Sequence, residues 1–220
     1  MLTPGRSTLL TITPKQLLRS TVGMRTTSGI IDHVERYMPD SSNPKMLRPG
    51  LVLGHNSNTG NWVICWCTLL SADEAAGQTT LSVTAGTGNT RFTTSDPGSA
   101  AFNVKIIGPG GFPAEQDLGA VTTVAANTII ITTALAVGYP SGSYVYRSPA
   151  TDYDQDVAQG ILLDYCSMDD GIGGDADQQT VILVEGVIDQ SELTAPTNLL
   201  IAQLRDPTLG DVAHAFRFES

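Results

Sequence analysis

A chain of 220 residues can bury one good core, or one core with a smaller satellite. Only 15% of its residues are charged and 41% are hydrophobic, so its polar surface rests on Ser, Thr, Asn, Gln and 22 glycines, which suits a β-rich folded protein that works against another protein. A net charge of −10 sets the body against a phosphate backbone and argues against nucleic acid as the main partner.

The charge is unevenly placed. Up to Gly50, Arg6, Lys15, Arg19, Arg25, Arg36, Lys45 and Arg48 outweigh Asp32, Glu35 and Asp40 by +4, whereas the remainder carries −14. The same front segment is punctuated by Pro4, Pro14, Pro39, Pro44 and Pro49. Lys15 to Arg19 offers one helical turn, and Ile30 to Tyr37 reads equally as strand or short helix. Residues 1–48 are therefore expected to form an extended arm, partly disordered alone because it buries too little surface. Its apolar anchors are Leu9, Leu10, Leu17, Leu18, Val22, Ile30 and Ile31. Docked on a partner, it can add strands to an exposed sheet edge, and its basic excess suits an acidic surface.

From Met46 the pattern tightens. Gly50 to Gly54 and the apolar run Trp62 to Leu70 predict a hairpin around His55 to Asn61, whose residues tolerate left-handed conformations. Cys65 and Cys67 point to one side of that run. With Cys166 they form an odd, irregular set, expected to be reduced thiols made in a cytoplasm. Between Ala72 and Ser148 the chain turns Thr-, Gly- and Ala-rich. Strand-length runs fall at 79–85, 101–108, 120–126, 128–135 and 143–147, with no helical period among them. Five short strands at this spacing predict a small β-barrel or sandwich, inserted at 72–148 into a parent domain made of 49–71 and 149–220.

The parent domain resumes at Asp152. Two apolar runs, Gly160 to Leu163 and Thr180 to Val187, flank an acidic glycine-rich gap and read as paired strands covered on both faces. Thr197-Asn198 can cap a helix through Leu204 that ends near Asp206-Pro207, and Val212 to Phe218 predicts a closing strand. The fold class is mainly β with one or two short helices (α+β).

Signals for chemistry are weak. His33, His55 and His214 accompany no nucleophile elbow, and Gly86-Thr87-Gly88 lies between strands as a turn rather than opening a phosphate-binding helix. Cys65, Cys67, Cys166 and a histidine make four zinc ligands on paper, yet two of them sit in an apolar run. Asp169, Asp170, Asp175 and Asp177 suit calcium in kind but not in spacing, and a solvated acidic loop accounts for them. No leader, membrane-length run or glycosylation sequon stands out, so the chain reads as neither secreted nor anchored. No catalytic residue, cofactor or metal is expected.

Gly50-Leu51-Val52-Leu53-Gly54, Thr59-Gly60, Gly160-Ile161-Leu162-Leu163, the acidic gap, Val181 to Ile188 and Ser191-Glu192-Leu193 together resemble the head decoration (cement) proteins of lambda-type tailed phages. The likeness covers about 46–70 and 152–220. It implies a small β domain that forms a homotrimer at three-fold positions on the outer surface of the capsid and clamps the major capsid protein against internal DNA pressure. It implies no nucleic-acid or membrane partner, and a location on the virion after synthesis in the host cytoplasm. It further implies that the arm docks on the shell, through Leu9, Leu10, Ile12, Leu17, Leu18, Arg19, Val22, Arg25, Ile30 and Ile31. The longer arm and the inserted module depart from that family. The alternative is a carbohydrate- or receptor-binding module on a virion surface, with the inserted β module as reader.

Overall fold

The computed structural model describes residues 17–32, 35, 43, 45–56, 59–92, 103–148, 157–170, 176–194, 197–209 and 212–219. Its elements in chain order are β1 (Leu18–Ile31), β2 (Met46–Leu47), β3 (Val52–His55), β4 (Asn61–Ile64), β5 (Cys67–Leu69), β6 (Thr80–Ser82) and α1 (Gly88–Arg91), then β7 (Asn103–Ile107), β8 (Gln116–Ala125), β9 (Thr128–Ile131) and β10 (Tyr144–Ser148). There follow β11 (Gly160–Leu162), β12 (Cys166–Ser167), β13 (Gln178–Asp189), α2 (Asn198–Arg205) and β14 (Ala215–Glu219). The chain is mainly β with two short α-helices among the described residues, as its composition predicts.

The strands make two closed barrels. In the first, the order is β1-β4-β3-β11-β13, and β1 closes the ring by pairing antiparallel along β13. β14 extends β13 in parallel, and β2 pairs with β12 to one side. The second barrel has the order β5-β10-β7-β8-β9-β6. A bridge between Leu70 and Val83, supported by Ser71 N–H donating to Ser82 O at 2.9 Å, joins its first and last strands. Clean alternation drives these strands: Val104 and Ile106 point inward while Asn103, Lys105 and Ile107 do not, and Ile129 and Ile131 repeat the pattern.

The first barrel is filled by one side chain above all. Trp62 is 3% exposed and spans the interior between β1 and β11. A Cβ built on Gly29 would lie 2.6 Å from its ring, and one on Gly160 would lie 2.7 Å from the opposite edge of the same ring. Ile182 crowds the same two positions at 2.5 and 2.7 Å. Both glycines are there because the indole leaves no room for a methyl group. Small barrels are packed by side chains rather than left hollow, and here the large residue faces the smallest ones.

Residues 17–31, expected within the arm, are thus part of the first barrel. Leu17 and Ile31 are buried in the chain's own core, and Ser28 pairs with Val181 while Ile31 pairs with Trp62 of β4. The bend this requires falls at a bulge between Ser20 and Arg25, where Gly23 takes φ 75°. The run Trp62 to Leu70, expected as one strand, divides at Cys65-Trp66: β4 belongs to the first barrel and β5 to the second. It is apolar but for Thr68 because it passes between two cores. The inserted unit therefore begins at Cys67 rather than near Ala72. Gly86-Thr87-Gly88, expected as a plain turn, opens the single helical turn α1, with Thr87 at its N-cap.

The two interiors form one buried cluster running from Ile31, Leu53 and Trp62 through Trp66 to Leu81, Ile106, Leu118 and Ile129. An ion pair stitches the same junction. Arg147 Nη1 lies 2.7 Å from Glu35 Oε1, both side chains being 3% exposed. Glu35 Oε2 accepts from Ile64 N–H at 3.1 Å, Arg147 Nη1 donates to Ile64 O at 3.2 Å, and Arg147 N–H donates to Trp66 O at 2.9 Å. Three segments distant in sequence meet there.

On the other face of β13, Leu183, Ile161 and Val52 pack with Leu200, Ile201 and Leu204 of α2. Thr197 caps that helix by accepting from Leu200 N–H at 3.4 Å, and Asp206 ends it before Pro207.

Gly160→Ala should lower stability by about 1–3 kcal/mol in urea unfolding through overpacking, and Trp62→Ala by about 3–5 kcal/mol through the void it leaves. Glu35→Gln should cost about 3–5 kcal/mol, because it strands a buried guanidinium, whereas Glu35→Leu combined with Arg147→Met should recover most of that loss. Equal losses in the single and double variants would show that the pair's charges are not coupled.

Candidate functional site

The residues with chemistry to offer lie apart. His33 is outside the described residues. His55 ends β3 and meets Trp62 edge-on, with centroids 5.1 Å apart. His214 is buried, its Nδ1 2.9 Å from Val212 O and its Nε2 3.2 Å from Gln203 O, so the ring ties the end of α2 to the approach of β14. Neither histidine stands beside a serine or cysteine nucleophile in these contacts.

The cysteines are buried, and none forms a disulfide. Burial pushes the Cys67 thiol up to about 12, against opposing effects from the Thr197 hydroxyl and the charge of Arg91. Burial also raises Cys166, against a hydrogen bond with Thr180. A thiol held protonated is neither a nucleophile nor a ready metal ligand. Among the described residues, no group of three or more His, Cys, Asp or Glu is placed to hold a metal ion. Asp169, Asp170 and Asp177 are exposed or lie beside the gap, and Asp175 is outside the described residues. No helix among the described residues is long and apolar enough to cross a membrane.

The surface is more informative than the clefts. Of the residues expected to contact a shell, Leu9, Leu10 and Ile12 lie outside the described residues, as do the side chains of Arg19 and Val22. Leu17 and Ile31 face inward and Leu18 packs partly against the α2 side of the core, so these three hold β1 in place instead. Arg25 reaches across to Glu185 at 3.3 Å and donates to Ala213 O at 2.5 Å. Ile30 is 43% exposed and Val181 is 40% exposed. Antiparallel pairing puts Ile30, Ser28, Gln179 and Val181 on one face of the β1–β13 ladder. Beside them runs an open groove of about 490 Å³, lined by Ser28, Ile30, His55, Trp62, Gln179 and Val212 among others.

The sequence reading missed the most exposed large apolar side chain of the molecule's described part. Phe112, in the turn between β7 and β8, is 81% exposed. The signal was an aromatic residue stranded among Gly108-Pro109-Gly110-Gly111 and Pro113, where no strand or helix can bury it.

No family model, no curated protein and no solved structure matches the chain.

The buried thiols give a direct check. At pH 8, well below the value of about 12 for Cys67, the folded protein should take up no iodoacetamide at Cys65, Cys67 or Cys166 over an hour, while the urea-unfolded chain should take up label at all three. Rapid labelling of any one of them in the folded state would mark a thiol with a function.

Proposed function

We propose that the chain is a non-enzymatic capsid-stabilising protein of the lambda-type head decoration kind, binding the outer surface of a phage head as a homotrimer and clamping the coat subunits around it. The observation that carries the reading is how the front segment is mounted. Residues 1–16 bring Leu9, Leu10 and Ile12 with Arg6 and Lys15, and no acid, directly into β1. β1 in turn is gripped by β13 along its length and by β4 at its end. An apolar, basic segment attached to a strand so held can transmit tension to a barrel without pulling it apart. A clamp needs that anchorage and no chemistry.

Three such contacts on one trimer act together, so modest individual affinities combine into tight binding. Segment 1–16 would dock on the shell and contribute main-chain pairing there. Trp62 and Trp66 are both buried, which leaves them no part as a platform for sugar rings.

Binding to expanded, DNA-free heads of the parent phage tests this. The full chain should co-sediment with heads and raise the temperature at which they rupture. A variant lacking residues 1–16 should keep the far-ultraviolet spectrum of the full chain and bind about 100-fold more weakly or worse, whereas removal of 1–31 should unfold the first barrel. A folded full-length protein that ignores heads would sink the reading, and glycan arrays would then be the next assay.

A further inference from the structure

Basic residues are scarce in the body of this chain, and two of them are left without an ion pair among the described residues. After Gly50 the chain holds Arg91, Lys105, Arg147, Arg205 and Arg217. Lys105 lies 3.3 Å from Glu115, Arg147 pairs with Glu35, and Arg91 donates to Cys67 O. Arg205 and Arg217 are exposed, and neither forms an ion pair with a described carboxylate.

The two meet in one recess. An opening of about 300 Å³ is lined by Glu185, Val187, Arg205, Ala215, Phe216 and Arg217 among others. Acids close to it are engaged elsewhere. Glu185 pairs with Arg25 at 3.3 Å, and Asp206 Oδ1 accepts from the N–H and the hydroxyl of Thr208 at 3.0 and 2.6 Å. Glu219 ends β14 and forms no ion pair with either arginine. The Arg205 guanidinium is held over the Phe218 ring, 5.1 Å from its centroid. On an otherwise acidic body this is a spot for carboxylates, which a guanidinium grips through two parallel hydrogen bonds.

Two observations say in what form the carboxylates come. β14 is the last strand of its sheet, and among the described residues no strand pairs with its outer edge. An exposed ion pair alone is worth little, whereas a strand laid along that edge adds main-chain hydrogen bonds to it. Leu18, Ile188 and Phe218 also form one row across β1, β13 and β14, and Asp189 N–H donates to Leu17 O at 3.0 Å. The segment before Leu17 therefore joins the barrel beside the recess, and a surface gripped by residues 1–16 lies within reach of both arginines.

We propose that the recess receives an extended acidic segment of the shell subunit, laid along the free edge of β14 with its carboxylates on Arg205 and Arg217. The identity of the partner rests on the capsid reading; the chemistry of the recess does not.

The full chain and a variant carrying Arg205→Gln and Arg217→Gln, both at exposed positions, test this. The two proteins should unfold at the same urea midpoint. The wild type should bind expanded, DNA-free heads about tenfold more tightly than the variant, or better. Raising sodium chloride from about 50 to about 300 mM should narrow that gap. Without heads, the wild type should bind a fluorescent deca-glutamate peptide and not deca-glutamine, and the variant should bind neither. Equal binding of heads by the two proteins would overturn the proposal and leave the capsid reading standing. Displacement of deca-glutamate by inorganic phosphate at the same molar concentration would also overturn it, by showing a site for a lone anion. Binding of deca-glutamate through the two arginines by a chain that ignores heads would sink the capsid reading and uphold the recess as a site for acidic strands.

Discussion

The first barrel depends on a single indole. The interior of a small barrel is filled by side chains, and Trp62 occupies the space between Gly29 of β1 and Gly160 of β11. Its size dictates glycine at 29 and 160 on the facing strands, and Ile182 on β13 completes the wedge. Once those positions are set, the register between Ser28 and Val181 and between Ile161 and Leu183 follows, because a slip of one residue would drive a side chain into the ring. The strand that carries the front segment is therefore fixed by a residue remote from it in sequence.

The two barrels are coupled as firmly as they are separate in composition. Only Cys65 and Trp66 intervene between β4 and β5, and the interiors merge into one cluster. The Glu35–Arg147 pair sits at that merger. Two charges taken out of water gain little net stability even when well paired, so the pair is better understood as fixing how the segments meet than as holding them together. Backbone groups of Ile64 and Trp66 tie the pair to the crossing strand, which makes it specific to one arrangement of that strand.

What was legible in the sequence was what local chemistry decides. The helix α2 was bounded by Thr197 and Asp206-Pro207, and the strands of the second barrel announced themselves as strand-length runs between glycine, proline and asparagine turns. The paired strands β11 and β13 showed as apolar runs because both faces are covered. What was not legible depended on partners far along the chain. Thr26, Thr27, Ser28 and Gly29 look like linker, since nothing nearby says that a tryptophan will fill the space their small side chains leave. The division of Trp62 to Leu70 between two barrels was hidden by its uniform hydrophobicity. Phe112 was passed over because turn residues draw attention away from the one among them that does not belong. The docking role proposed for residues before Leu17 comes from a sequence resemblance and from how β1 is mounted.

The pairing of β1 with β13 also sets an order of events during synthesis. The second barrel is contiguous in the chain and can close as soon as β10 has emerged, from contacts of moderate sequence separation. The first cannot, because Ser28 must wait for Val181. Until the ribosome has delivered β13, Trp62 lacks its far wall and β1 has an open edge, the kind of surface that seeds aggregation. A nascent chain cut short before that strand would carry a finished inner unit on an unfinished outer one. The first barrel thus acts as its own check that β13 has been made.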